Sequence, residues 1–390
     1  MDKVRLGVIG LGNMGSSHLG YLPNVSDAVV TAVCDIEEDK AQKFAKLHNA
    51  AAFTSADELL KAKVADAVIV ATPHYDHPPI GIRALETGHH VLVEKPIAVS
   101  VKAARQLVEA ARQHPNLKFG IMFNQRSNPV YQQLRSLIAD GELGELTRVT
   151  WLITDWFRTW TYYASGGWRA TWAGEGGGVL INQCPHNLDL MQWITGLMPT
   201  RVTAVGFIGK SHPIEVEDEM SAILEYPNGA IGHFVTSTGE APGTNRLEIC
   251  GERGKVVCEN GKLTFSRMRQ NVREVRETSP LAFAHPERWT VEIPVGKAAP
   301  GGEHERVMRN FLSAIVRGTP MLAPGEEGIR GLEISNAMHM SAFLHKSVEL
   351  PIDGDAFDAL IKDLTTKYAG RKTLETKSVV ADMAASSSSF

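Results

Sequence analysis

The sequence predicts an α/β domain with a doubly wound parallel sheet over residues 1–123, an α+β domain with a mainly antiparallel sheet over 124–352, and a C-terminal tail, 353–390. Three observations carry this. A chain of 390 residues is long for one hydrophobic core. Up to Phe123, short apolar, β-rich runs alternate with helical stretches, the pattern of strands joined by crossover helices. Beyond Asn124, strand-like runs are separated by tight turns, which suits antiparallel neighbours.

The first strands read as Val4–Ile9, Val29–Cys34, Ala67–Ala71, Val91–Val93 and Phe119–Phe123, most of them apolar enough to be covered on both faces. Between them, Ser55 and Glu58 have the spacing of a capping box at a helix start, and Gly88 stands where a helix ends. A linking helix from Pro129 to Asp140 stops at Gly141. Strands follow at Leu146–Trp156, Arg201–Ile208, Met220–Tyr226 and Ile231–Ser237, with Pro227-Asn228-Gly229 as the hairpin turn between the last two. Helices at Glu303–Val316 and Glu326–His345 are expected to return toward the first domain. Ser386 to Ser389 reads as a disordered or tag-like end, and no internal repeat is present.

Composition excludes several functions. Hydrophobic content is 43%, charged content 22% and formal charge -4, so there is no basic excess for a nucleic-acid backbone. The four cysteines, Cys34, Cys184, Cys250 and Cys258, have neither metal-site spacing nor the density of a disulfide scaffold, and suit a reducing cytoplasm. No metal is expected. The apolar opening runs straight into glycines, as a first strand would and a signal peptide would not. No apolar run approaches the roughly 20 residues of a membrane span.

Gly10-Leu11-Gly12-Asn13-Met14-Gly15 follows the first strand and opens a helix. The first glycine permits the turn, the second lets the backbone approach a pyrophosphate, and the third allows close helix packing, so this is a dinucleotide-binding fingerprint. The helix N-terminus suits the anion. Asp35 ends the second strand 20 residues after Gly15, where a carboxylate accepts hydrogen bonds from ribose hydroxyls and repels a 2′-phosphate. Ile36, Glu37 and Glu38 offer no counter-charge, which favours NAD over NADP.

Glu94-Lys95-Pro96 sits at the carboxyl end of the Val91–Val93 strand, the edge at which open α/β sheets bind ligands. With this motif the sequence resembles the family of glucose-fructose oxidoreductase, inositol dehydrogenase and MocA. The residues carrying the resemblance are the glycine turn, Ala71-Thr72-Pro73 with His77, Gly88-His89-His90-Val91 running into Glu94-Lys95-Pro96, Gly176-Gly177-Gly178, His186 with Asp189, and Asn310-Phe311, Ala314-Ile315 and Gly318. The resemblance implies a Rossmann domain plus a large open-sheet domain, and cofactor contacts at Thr72, Pro73, His77, Glu94, Lys95 and Asn124. It also implies a lysine touching substrate and nicotinamide, oxidation of a secondary hydroxyl on a sugar or cyclitol, and homodimers or homotetramers built on the open sheet.

His186 lies at the start of a helix whose apolar stripe is Leu190, Trp193, Ile194 and Leu197, and the preceding glycines are read as letting backbone approach a ligand. A histidine suits removal of a hydroxyl proton near neutral pH, and a helix N-terminus disfavours the imidazolium. Lys95 would then stabilise the developing oxyanion. In this family the polyol dehydrogenases usually carry aspartate four residues before the histidine. Here that position is Asn182, as in some sugar-modifying members; an amide can orient an imidazole but cannot compensate its charge. Asp189 is read either as a partial replacement or as a buried packing acid.

Five of the seven tryptophans lie between Trp151 and Trp172, Trp151 itself reading as core. Trp156, Arg158, Tyr163 and Arg169 are the candidate substrate contacts, with Asn182 and His186: rigid aromatics form a wall for a sugar ring, and arginines grip a carboxylate, sulfonate or phosphate. His212 and His304 are expected at the surface rather than at the pocket. Three functions are open: an NAD-dependent dehydrogenase acting on a sugar, sugar acid or inositol; an NAD-dependent glycoside hydrolase working by transient ring oxidation, on an anionic sugar glycoside for example; and a non-enzymatic NAD and sugar sensor, against which retention of Lys95 and His186 argues.

Overall fold

The computed structural model describes residues 3–376. Its first sheet comprises β1 (Val4–Ile9), β2 (Ala28–Cys34), β3 (Ala51–Phe53), β4 (Ala67–Val70), β5 (His90–Val93) and β6 (Phe119–Ile121), in the order β3-β2-β1-β4-β5-β6. Every pairing is parallel. β3 was not foreseen, because three partly exposed residues make no apolar run. Helices α1 (Asn13–Tyr21), α2 (Glu38–His48), α3 (Ala56–Lys61), α4 (His77–Glu86) and α5 (Val101–Gln113) alternate with these strands. Leu59, Leu60, Leu85 and Leu107 cover one face over Val68, Val70, Val91 and Val93. Leu19 packs on the other with Leu6, Val8 and Ile69. The strand order reverses at β1 and β4, which opens a crevice beyond their carboxyl ends. The capping box foreseen at Ser55 is not made: its side chain caps nothing, whereas Ser100 accepts from Ala103 N at the start of α5.

The second domain continues with α6 (Pro129–Ala139), β7 (Leu146–Ile153), α7 (Trp160–Ala164), α8 (Val179–Asn182), α9 (Pro185–Thr195), β8 (Arg201–Ile208), β9 (Glu217–Glu225), β10 (Ile231–Ser237), β11 (Asn245–Gly251), β12 (Gly254–Glu259), β13 (Lys262–Met268), α10 (Val272–Thr278) and β14 (Arg288–Ile293). It closes with α11 (Glu303–Arg317), α12 (Gly328–Leu344), β15 (Val348–Glu349) and α13 (Gly354–Tyr368). Nine strands pair in the order β14-β13-β12-β11-β7-β10-β9-β8-β15. All neighbours run antiparallel except β7 and β10. The hairpin at Pro227 joins β9 to β10 as foreseen, with Gly229 at φ +83°. β7 stops at Ile153, so Trp156 lies beyond the strand.

β11 to β13 were not foreseen: their buried residues alternate with mostly polar or charged ones facing outward. α11 lays Val307, Met308, Phe311 and Leu312 against the β1 face of the first sheet. α12 lies over β8 and α9. The stretch read as tail carries α13, with Phe357, Leu360, Ile361 and Leu364 buried at helical spacing and Asp353 capping the first turn. Ser386 to Ser389 lie outside the described residues. The outer face of the large sheet leaves Val205, Phe207, Ile223 and Ile231 exposed. Among the described residues no helix is long and apolar enough to cross a membrane.

Candidate active site

The glycine turn is built for a ligand-binding crevice. Gly10 adopts φ +89° with its Cβ direction 2.6 Å from Ala71 O, and a Cβ on Gly15 would fall 1.8 Å from Gly10 O, so neither position admits a side chain. At Gly12 nothing lies within 4 Å, which leaves the approach to Asn13, Met14 and the start of α1 open. Asp35 is nearly buried and accepts from Leu11 N at 2.8 Å and Glu37 N at 3.0 Å, pinning the turn to the end of β2. Lys40, one turn into α2, comes within 3.7 Å of Asp35 while bonding Glu37 at 2.6 Å. The cation near Asp35 thus lies two residues beyond Glu38, outside the stretch that the sequence showed to lack one.

Around the same crevice, polar atoms are buried without partners: Thr72 Oγ1, Asn124 Oδ1 and Gln125 Oε1. Buried polar groups are ordinarily satisfied, so these orphans, with the open glycine cradle, fit a bound dinucleotide. Pro73 is exposed beside Thr72. His77 is buried and occupied, Nδ1 with Pro96 O at 2.7 Å and Nε2 with Thr72 O at 2.8 Å. It ties the loop after β4 to the loop after β5. Asn124 Nδ2 and Gln125 Nε2 both donate to Glu303, the first residue of α11.

At the end of β5, Glu94 is buried and accepts from His18 Nε2 at 2.6 Å. Burial works to raise its pKa, but the hydrogen bond and charge of His18, with His304 and Lys95, bring it down to about 2. His18 came from α1, where sequence alone offered no reason to place it here. Lys95 is half-buried, and its Nζ donates to the main-chain oxygen of Asn182 at 2.7 Å. Enclosure lowers its pKa, Glu94 and Glu175 oppose this, and Arg169 and Arg158 add to it.

Glu175, also unforeseen, is buried in the loop before α8. Its carboxylate accepts from Asn182 Nδ2, from Ala170 N at 2.6 Å and from Arg169 Nη1 at 3.4 Å. The only sequence signal was one acid inside a glycine run. Asn182 therefore spends its side chain on Glu175 and on Tyr162 OH at 3.4 Å, and its amide does not bond His186. His186 is the second residue of α9; its Nδ1 is buried without a partner. Burial holds its pKa well below the histidine range, and the charges of Lys95 and His304 push the same way against Glu94.

The aromatic segment corrects several expectations. Trp151 is core, as read. Tyr163 is buried with its hydroxyl on Thr238 at 2.8 Å, so its neighbour Tyr162 supplies the hydroxyl that meets Asn182, Arg169 and Gln183. Arg158 stacks on Trp156 and Tyr162, each about 5.1 Å from its guanidinium carbon. Arg169 stacks on Tyr162 and Trp168 at 4.8 Å. The Nε atoms of both arginines are buried without an acceptor. His212 is not a surface residue: it is buried between Asp218 and Arg158 O, each at 2.9 Å, and steadies the Arg158 loop. His304 is likewise enclosed, its ring 6.0 Å from that of His18, and burial lowers its pKa to about 4.

Asp189 is the packing acid: fully buried, it takes both ends of Arg126 at 2.6 and 2.8 Å and Gln192 at 3.0 Å. The glycine run also differs from its reading. A Cβ on Gly176 would strike Val99 and one on Gly178 would strike Glu217 O, so these glycines permit protein packing rather than ligand approach.

Comparison with known proteins follows the same division. A family model described as "Oxidoreductase family, NAD-binding Rossmann fold" matches residues 4–121, and one described as "GFO/IDH/MocA C-terminal domain" matches 131–257. The chain is similar to trans-1,2-dihydrobenzene-1,2-diol dehydrogenase of Xenopus laevis, 33% identical over 68% of this chain and 79% of that protein. It is similar to myo-inositol 2-dehydrogenase of Thermotoga maritima, 24% identical over 89% of this chain and 98% of that one. Among solved structures, the WlbA dehydrogenase from Bordetella pertussis, in complex with NADH and UDP-GlcNAcA, superposes with a TM-score of 0.75 at 26% identity, covering 90% of this chain and all (100%) of that one.

Proposed function

The chain belongs to the Gfo/Idh/MocA family of oxidoreductases and carries its NAD-binding Rossmann domain, and from this we propose that it oxidises a secondary ring hydroxyl of a sugar, sugar acid or inositol, with Lys95 and His186 handling the hydroxyl proton. The observation that carries the reading is a pair of opposite character. A lysine ammonium is held at the ligand edge of β5 by Asn182 O, and its charge helps keep His186 a neutral base.

The glycine turn, Asp35, Thr72 and Asn124 would hold NAD, whose nicotinamide, when bound, accepts a hydride from the carbinol carbon. Lys95 donates a hydrogen bond to the reacting oxygen and stabilises the charge that builds on it. His186 takes the hydroxyl proton on its imidazole. His18, bonded to Glu94, fixes the residue before Lys95 and so the direction from which the lysine leaves the strand.

Arg158 and Arg169 support a sugar acid within this substrate class. Each of these arginines keeps a buried Nε–H without an acceptor. A solved relative binds UDP-GlcNAcA. The exposed row Val205, Phe207, Ile223 and Ile231 supports a homodimer or homotetramer formed on the open sheet. The free thiols of Cys34, Cys184, Cys250 and Cys258 support a cytoplasmic setting.

A panel of neutral sugars, sugar acids, inositols and aryl glycosides, followed for both NADH and released phenol, tests the reading. NADH formation with a sugar acid or cyclitol is the expected result. Phenol release without net NADH would replace it with redox-neutral glycoside hydrolysis, and binding without turnover would replace it with a sensor.

A further inference from the structure

The charge balance of the site rests on a residue outside both of its motifs. Lys95, Arg158, Arg169 and Lys372 bring four cations around the substrate end of the crevice, Lys372 donating to Gly166 O and Arg169 O. Three buried carboxylates face them, Glu94, Glu175 and, beside Lys372, Glu215. Glu94 is already committed to His18. Glu175, only 1% exposed, is the one that faces both Arg169 and Lys95 without such a commitment.

Glu175 is held from both domains. Its main-chain oxygen bonds His74 Nδ1 at 2.9 Å from the loop after β4, while Ala170 N fixes one carboxylate oxygen. The other oxygen takes the Asn182 side-chain amide and Arg169. With its amide so tied, Asn182 presents its main-chain oxygen to Lys95 Nζ at 2.7 Å. Three residues thus form a chain: carboxylate, amide, ammonium.

We infer that Glu175 is a positioning residue of the reaction: through Asn182 it sets where the Lys95 ammonium stands, and it sets a negative charge between Lys95 and Arg169. The inference rests on Lys95 being the group that faces the reacting oxygen. Its chemical content is that positions 175 and 182 need one carboxylate and one amide in contact. Which position holds the acid is secondary.

The ionisable groups facing Lys95 are Glu94, Glu175, Arg158, Arg169, His74, His186, His304 and Cys184. Those facing Glu175 are Arg169, Lys95 and Lys372, with Tyr163 beside them. Removing the Glu175 charge leaves every cation in place and takes away a carboxylate that stabilises the ammonium. Lys95 then loses its proton at lower pH.

The test uses the full chain with Glu175→Gln, Asn182→Asp and the double substitution, reading kcat and KM against pH. Glutamine keeps the shape and can still accept from Ala170 N, and a denaturation midpoint measured for each variant checks that the fold is retained. Glu175→Gln is expected to lower kcat about 10- to 100-fold, a misplacement effect, and to move the alkaline limb to lower pH with NAD binding unchanged. Asn182→Asp alone sets two carboxylates side by side, one of which stays protonated, and also loses rate. The double substitution restores one acid and one amide, and is expected to recover most of the rate and return the limb. Acetylation of Lys95 in the NAD-free protein, followed by mass spectrometry against pH, gives a readout apart from turnover: the lysine should react faster in Glu175→Gln and near the native rate in the double variant. Native turnover and limb in Glu175→Gln, or a double variant as impaired as Glu175→Gln with unchanged Lys95 reactivity, would overturn the inference. Native turnover in Lys95→Met would instead remove the reading of Lys95 on which it stands.

Discussion

Helix α9 carries two ionisable residues one turn apart, Asp189 fully buried and His186 partly so, and the protein treats them oppositely. Asp189 sits in a closed cluster in which Arg126, wholly buried, gives Nε and Nη2 to Asp189 and Nη1 to Glu327 and Leu322 O, stacked against Phe123 and Trp193. His186 sits where polar atoms are left over: its own Nδ1 and, around the Lys95 that faces it, the Nε atoms of Arg158 and Arg169. A buried polar group left unpaired is costly, so satisfied clusters serve the fold, whereas a concentration of orphans marks where a ligand completes the bonding. The two residue types alone do not separate these roles. Both sit at one end of the same helix.

The sharpest way to break the comparison is Arg126→Met. It leaves Asp189 buried and unpaired, and a loss of about 3–5 kcal/mol in unfolding free energy is expected from chemical denaturation, with NAD affinity of the folded fraction retained. An unchanged denaturation midpoint would mean that the cluster does not hold the second domain together.

His186→Ala should do the reverse. Turnover is expected to fall about 100-fold or more, while stability changes little because Nδ1 has no hydrogen bond to lose. The sign of the pH dependence follows from burial: the rate falls as the imidazole gains a proton, and burial puts that limb below the ordinary histidine range. The limb should vanish in the variant. A limb near pH of about 6.5 in the native enzyme would contradict the buried, neutral base.

The smallest expected effect is at Asp35, which belongs to both categories. Its oxygens hold Leu11 N and Glu37 N, and it remains the acceptor expected for ribose hydroxyls. Asp35→Ala should weaken NAD about tenfold by titration and narrow the preference over NADP, since Lys40 is then released from one of its two carboxylates. Tighter binding of NADP than NAD by the native chain would overturn the cofactor preference.

Much of this was legible in order along the chain. The parallel first sheet followed from apolar runs, and the hairpin at Pro227 from its turn residues. The strands β11 to β13 were not, because a sheet covered on one side alternates polar with apolar residues and leaves no run to see. α13 did show its spacing at Phe357, Leu360, Ile361 and Leu364 and was read past as tail.

By itself the sequence determined the dinucleotide turn, the lysine at the mouth of β5 and the histidine opening α9, since each depends on a local pattern: glycines where no side chain fits, a strand end, a helix start. Only the tertiary structure decided which neighbours those residues keep. It brought Glu175 to Asn182, His18 to Glu94 and Arg126 to Asp189, pairs separated by 7, 76 and 63 positions. It also brought the hydroxyl of Tyr162, rather than that of Tyr163, to Asn182, Arg169 and Gln183. Charge and hydrogen bonding act through space over a few ångströms, and no spacing along the chain encodes which distant carboxylate will be left to meet a given cation.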